Sequence, residues 1–215
     1  MTIKEIQALV SQGEGTTLEF KHKVVHPEKI VREIVAFANS KGGSLLIGVD
    51  DDGTILGLKD AEEEAYALEH AIQKHCKPPI SLDSEIVPIS KKRSVIHYSI
   101  AASKRKPHAV KQAESTKVYV RAQDRSIQAS KEMREILRRQ RKPRDTRFTF
   151  GEKEKLLMEY LDIHGTITLS QFAALAKIKK YYASKTLILL VLAKVLTIEP
   201  REGMDIYKLA DAGTA

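Results

Sequence analysis

A chain of 215 residues, 42% hydrophobic and with a formal net charge of +8, can bury one large core or two small ones. Its one cysteine, Cys76, excludes an internal disulfide and any multi-cysteine zinc site, and it fits a reducing compartment. The longest apolar run, residues 187–192, is far short of the ~18 residues of a membrane span, and the N-terminus lacks a secretory pattern, so a cytoplasmic protein with no membrane partner is expected.

Residues 3–11 read as a short helix and residues 17–21 as a strand. Pro27 and Glu28 open a second helix, proline suiting the first turn and glutamate complementing the positive end of the dipole. Ile30, Ile34 and Phe37, with Val31, Val35 and Ala38, give that helix a wide apolar face. Gly42 and Gly43 are expected to stop it, because glycine takes the left-handed cap most readily. Residues 44–49 follow as a strand, Asp52-Gly53 signals a hairpin turn, and residues 60–75 form a third helix. Strands are expected near 84–89, 94–101 and 117–121. Strands and helices are mixed, so the class is α/β (α+β) and not a simple parallel repeat.

Ser130 can cap a further helix through Met133, Ile136 and Leu137, which Pro143 stops. The boundary is placed there: a first domain over 1–142, a basic linker over 143–147, and a second, smaller domain over 148–215. Residues 131–147 hold 8 basic and 3 acidic side chains, against 19 and 17 in residues 1–130 and 9 and 8 in residues 148–215. Clustered Lys and Arg favour a polyanionic partner, because they displace counterions from phosphate. A solvated helix and linker is the other use for the same charges. The second domain reads as helices over 152–161, through Phe172 and Leu175, and over 179–193, then a strand, a turn and a strand. Three helices and a small hairpin make a winged helix-turn-helix arrangement.

The most distinctive pattern lies between residues 14 and 50. Glu14 and Glu19 stand five residues apart, within a string ending Leu18-Glu19-Phe20-Lys21. The second helix ends Ala36-Phe37-Ala38-Asn39-Ser40-Lys41-Gly42-Gly43, and the next strand ends Ile47-Gly48-Val49-Asp50. Later come Lys106-Pro107-His108, Val118-Tyr119-Val120-Arg121, and Ala129-Ser130 with Glu132. Over most of the first domain these strings resemble the Schlafen/AlbA-type (AlbA_2) domain. The resemblance implies an AlbA-like fold similar to archaeal Alba chromatin proteins, a C-terminal winged helix, and DNA binding or transcriptional regulation. Some relatives are described as ATP-binding or helicase-related. Here Lys41 precedes Gly42-Gly43-Ser44 and follows a helix, so there is no P-loop and ATP hydrolysis is not expected.

The resemblance also implies an enzymatic alternative. Animal Schlafen proteins use this domain in an endoribonuclease with a Glu-x4-Glu-Phe-Lys element, which Glu14, Glu19 and Lys21 match, with Asp50 as the third acid. Three converging carboxylates could hold Mg²⁺ or Mn²⁺ to activate water, with Lys21 steadying the phosphate. The plainer reading leaves Glu14 solvated, Glu19 paired with a nearby cation and Asp50 opening an acidic turn. No cofactor is expected unless the nuclease reading holds. A protein-interaction adaptor is the third alternative.

The binding surfaces are read from charge. Lys104, Arg105 and Lys106 lie in a long connection between strands, and Arg121 and Arg125 extend the patch. Arg138, Arg139 and Arg141 belong to the basic segment. Lys179, Lys180, Tyr181 and Lys185 crowd the start of the third helix of the second domain, where a recognition helix would meet a major groove, and Arg201 stands in the wing. The expected partner is nucleic acid, with DNA favoured over RNA. The stretch 187–195, apolar on almost every face, suggests a homo-oligomer contact.

Overall fold

The computed structural model describes residues 1–113, 115–141 and 150–210. The chain divides into two compact units, Met1–Gln128 and Ala129–Ala215. The first is mixed α/β with several small sheets. Among the described residues no helix is long and apolar enough to cross a membrane.

In the first unit, helix α1 (Ile3–Val10) precedes strand β1 (Leu18–Lys21), helix α2 (Pro27–Asn39) and strand β2 (Gly42–Ile47). Helix α3 (Ala61–His75) and the short strand β3 (Cys76–Lys77) lead to the long strands β4 (Asp83–Ser90) and β5 (Arg93–Ala101). Four short strands close the unit: β6 (Ala109–Lys111), β7 (Thr116–Lys117), β8 (Tyr119–Ala122) and β9 (Arg125–Gln128). The main sheet has the order β1-β2-β5-β4; β1 pairs parallel with β2, and the other pairs are antiparallel.

Both faces of this sheet are buried. Side chains alternate along a strand, so Leu45 and Ile47 of β2 join the core under α2 and α3, while Leu46 joins Ile6, Phe20 and Val95 on the face that α1 covers. That is why Leu45, Leu46 and Ile47 are apolar in succession. Thr2 caps α1 in a reciprocal capping box with Glu5.

The two glycines after α2 act differently from the expectation. The helix ends at Asn39 with Ser40 as its cap, and Gly42 opens β2. Gly42 has φ +81° and its missing Cβ would lie 2.6 Å from the Ile100 carbonyl. A Cβ at Gly43 would lie 2.5 Å from the Phe37 ring and 2.7 Å from the Thr17 carbonyl. Gly42 is required by its positive φ and the close β5 backbone, and Gly43 by the close approach of Phe37 on α2 and of Thr17.

The second unit contains helices α4 (Lys131–Gln140), α5 (Glu152–His164), α6 (Leu169–Leu175) and α7 (Lys180–Leu192). Strands β10 (Ile167–Thr168), β11 (Leu196–Glu199) and β12 (Ile206–Leu209) form a small sheet in the order β10-β12-β11. Thr168 caps α6 with Gln171 in a capping box. Leu157, Leu161, Phe172, Leu187 and Tyr207 form the core.

Helix α4 lies in this unit, whereas the sequence reading assigned it to the first domain. Its apolar face needs a partner, and Ile136 joins the second core. Ser184 of α7 donates to Glu132 at 2.6 Å, and the Ser130 hydroxyl donates to Asp205. The expected basic linker, 143–147, lies outside the described residues. The apolar stretch expected to meet another copy is largely consumed at home: Leu187, Ile188, Leu190 and Val191 are all buried in the unit's own core.

Candidate nucleic-acid interface

The acidic motif is built into the first unit's frame. Glu14 accepts the backbone N–H of Phe20 at 2.7 Å, which closes the turn before β1. Burial raises its pKa, against the pull of that hydrogen bond. Glu19 is buried, accepts from the Arg121 guanidinium at 2.9 Å, and also takes the Lys21 ammonium. Lys21 donates to the Phe20 carbonyl at 2.7 Å as well. Asp50 stands at the hairpin turn and accepts from the Asp51 N–H at 3.2 Å.

Among the described residues no group of three or more His, Cys, Asp or Glu side chains is placed to share a metal ion. As placed here, Glu14, Glu19 and Asp50 are not such a group. The reason is local: Glu19 faces Arg121 and Lys21, and Glu14 faces the backbone.

Arg121 also differs from expectation. It is no surface residue, since only 1% of its side chain is exposed. It pairs with Glu33 at 2.8 Å as well as with Glu19, donates to the Gly15 carbonyl at 2.6 Å and to Ser126 at 3.1 Å, and stacks on the Phe37 ring at 4.6 Å. Glu33 was missed by sequence reasoning. Burial first, then the charge of Glu19, raises its pKa. The only sequence signal was a carboxylate beside two apolar helical stripes.

The remaining motif residues meet at the end of α2. The Asn39 amide donates to the His108 carbonyl at 2.8 Å and the Tyr119 carbonyl at 2.9 Å, and accepts the His108 N–H at 2.8 Å. Ser40 Oγ accepts from the Arg121 N–H at 2.9 Å, and Lys106 Nζ donates to the Ser40 carbonyl at 2.6 Å. Lys106 is thus half-buried and caps α2, a correction to its expected role as a free phosphate contact. Burial depresses its pKa. His108 Nδ1 lies 2.8 Å from the Pro78 carbonyl and Nε2 lies 2.6 Å from Ser103 Oγ. A carbonyl only accepts, so Nδ1 carries a proton toward Pro78; burial lowers the ring's pKa, against the pull of that hydrogen bond.

The other basic residues expected at the interface lie on the surface. Lys104, Arg105 and Arg125 are exposed in the first unit. In the second unit Arg138, Arg139 and Arg141 are exposed. The first two flank Glu135, at 2.8 and 2.6 Å, and their hydrogen bonds, Arg138 foremost, hold its carboxyl down to about 2. Arg201 is exposed but pairs with Glu199 at 3.0 Å, which also takes Lys208 at 2.8 Å.

The start of α7 is the densest assembly. Lys179, Lys180, Tyr181, Tyr182 and Lys185 are all exposed. The two tyrosines meet edge to face with centroids 5.4 Å apart, and Lys185 Nζ stands 4.5 Å from the Tyr181 ring centre. A hydrogen bond from Lys185 lowers the Tyr181 pKa. Two large aromatic rings stay in solvent among cations, a pairing that suits stacking and phosphate contact together.

Residues 14–130, just over half of the chain, match the family model described as Schlafen, AlbA_2. The chain belongs to the Schlafen AlbA_2 family. It is similar to the DIP2311 protein from Corynebacterium diphtheriae, with 16% identity and a TM-score of 0.47 over 83% of this chain and 34% of that one. It spans about a third of that protein's length. It is also similar to the N-terminal domain of a protein from Nitrosomonas europaea described as related to the ATP-dependent DNA helicase RecG. That likeness has 17% identity and a TM-score of 0.42, covering 53% of this chain and 82% of the other.

Proposed function

We propose that the protein binds nucleic acid, DNA in preference to RNA, and acts as a regulator of transcription. In this reading the second unit is a winged helix, with α5, α6 and α7 as its three helices, β11 and β12 as its wing, and α7 as the helix presented to the groove. The observation that carries the reading is the start of α7. A helix N-terminus is the positive end of the dipole, where acids stabilise by ~0.3–1 kcal/mol each and cations oppose it. Here Lys179 caps the helix, Lys180 opens it, and its first turn has no acidic residue. These lysines do nothing for the helix, and a polyanion supplies the charge they lack. Tyr181 and Tyr182 add ring faces at the same place. Lys104 and Arg105 of the first unit serve as a second, sequence-independent contact with phosphate.

Fluorescence anisotropy with a labelled duplex at low salt tests this. The wild type is expected to bind, and Lys179→Gln/Lys180→Gln/Lys185→Gln to bind at least about tenfold more weakly on duplexes of any sequence. Absence of wild-type binding to duplex or single strand at low salt contradicts the reading.

A further inference from the structure

Helix α4 has a basic face that the folding of the second unit places beside α7. At 3.6 residues per turn, positions 131, 134, 138 and 141 fall within an arc of about 80°. They are Lys131, Arg134, Arg138 and Arg141, and all four are exposed. Met133, Ile136 and Leu137 are buried and lie outside this arc. The two acids of α4, Glu132 and Glu135, lie off this arc, and Glu132 is held by the Ser184 hydroxyl of α7 at 2.6 Å. That hydrogen bond fixes the first turn of α4 against the first turns of α7. Lys131 stands close enough to Tyr181 for its charge to act on the tyrosine hydroxyl. The basic arc of α4 therefore starts, at Lys131, beside the cations of α7.

We propose that the exposed face of α4 extends the α7 interface as a track for the sugar-phosphate backbone of a nucleic-acid duplex, with Lys131 and Arg134 joining the two. The inference rests on the nucleic-acid reading of α7. Ten residues of helix span ~15 Å, and duplex DNA carries a charge every ~1.7 Å of its axis, so the track can meet several phosphates. Its contacts carry no base information, since they address phosphate only. Arg138 and Arg139 share Glu135, which leaves Lys131 and Arg134 the less neutralised members of the helix.

The test uses the full chain and two labelled duplexes of unrelated sequence, with affinity followed across a range of salt concentrations. Lys131→Gln/Arg134→Gln is expected to make the slope of log K against log salt shallower by about 1.8, at about 0.9 per lost phosphate contact, and equally on both duplexes. The charge-retaining Lys131→Arg/Arg134→Lys is expected to keep the wild-type slope, as is Lys155→Gln on the exposed side of α5. Wild-type binding with an unchanged slope in Lys131→Gln/Arg134→Gln overturns the track and leaves the α7 reading intact. No wild-type binding overturns both.

Discussion

The guanidinium of Arg121 lies 2.9 Å from the carboxylate of Glu19, across 102 residues of sequence and inside the first unit. Glu33 reaches the same nitrogen at 2.8 Å. Two carboxylates brought from water into a core are costly unless a cation meets them, so Arg121 holds β1, α2 and β8 together. Arg121→Met, which keeps bulk and removes charge, is expected to cost ~3–5 kcal/mol in urea denaturation, because buried Glu19 and partly buried Glu33 lose the cation they share. A loss below about 1 kcal/mol, the scale of an exposed pair, contradicts that role.

Gly43 of β2 lies against Phe37 of α2. A methyl there would sit 2.5 Å from the Phe37 ring and 2.7 Å from the Thr17 carbonyl. Gly43→Ala is expected to destabilise by ~1–3 kcal/mol, the range for overpacking a filled core. Adding Phe37→Leu should recover part of that loss, since only the ring can yield. Differential scanning calorimetry of the three variants decides it.

The three basic residues of the β5–β6 connection divide by role. Lys106 Nζ is spent on the Ser40 carbonyl, whereas Lys104 and Arg105 are exposed. Lys106→Met is expected to cost ~1.5–3 kcal/mol of stability, as for a hydrogen bond from a charged group, with no change in the salt dependence of binding. Lys104→Gln/Arg105→Gln is expected to leave stability alone and make that salt dependence shallower by about 1.8. Paired thermal melts and binding isotherms separate the two outcomes.

Asp205 gives a pH dependence with a definite sign. It is buried, which raises its pKa above the ordinary aspartate value of 3.8. The Ser130 hydroxyl opposes that rise, and nearby Glu132 adds to it. A group bound more tightly to its proton in the folded state contributes stability fully below 3.8, and loses it as pH rises through the higher folded value. Asp205→Asn keeps an acceptor for Ser130 and never ionises. Its thermal midpoint should exceed the wild type's at neutral pH, and the difference should shrink on acidification through that window. A difference independent of pH contradicts the assignment.

Local pattern made much of the fold legible. Helical spacing of Ile30, Ile34 and Phe37, the cap at Ser130, and the Asp52-Gly53 turn are all short-range signals, and each element stands where they put it. The short strands β3, β6 and β9 were not legible, because two to four residues carry no periodicity and owe their state to a distant partner. The site was legible as residue types and not as geometry. Arg121 follows Val118-Tyr119-Val120 and reads as a surface strand end; only Glu19 and Glu33, far away in sequence, make its burial tolerable. Helix α4 reads as the tail of the first domain because family resemblance runs into it, while its apolar face chose α7.

The most direct test of the central claim is a titration of unlabelled duplex into the ¹⁵N-labelled protein, followed amide by amide. The expected result is perturbation concentrated at Lys179–Lys185 and along the exposed face of α4, with a second, weaker set at Lys104 and Arg105. Perturbation confined to other surfaces, or none at low salt, contradicts the account.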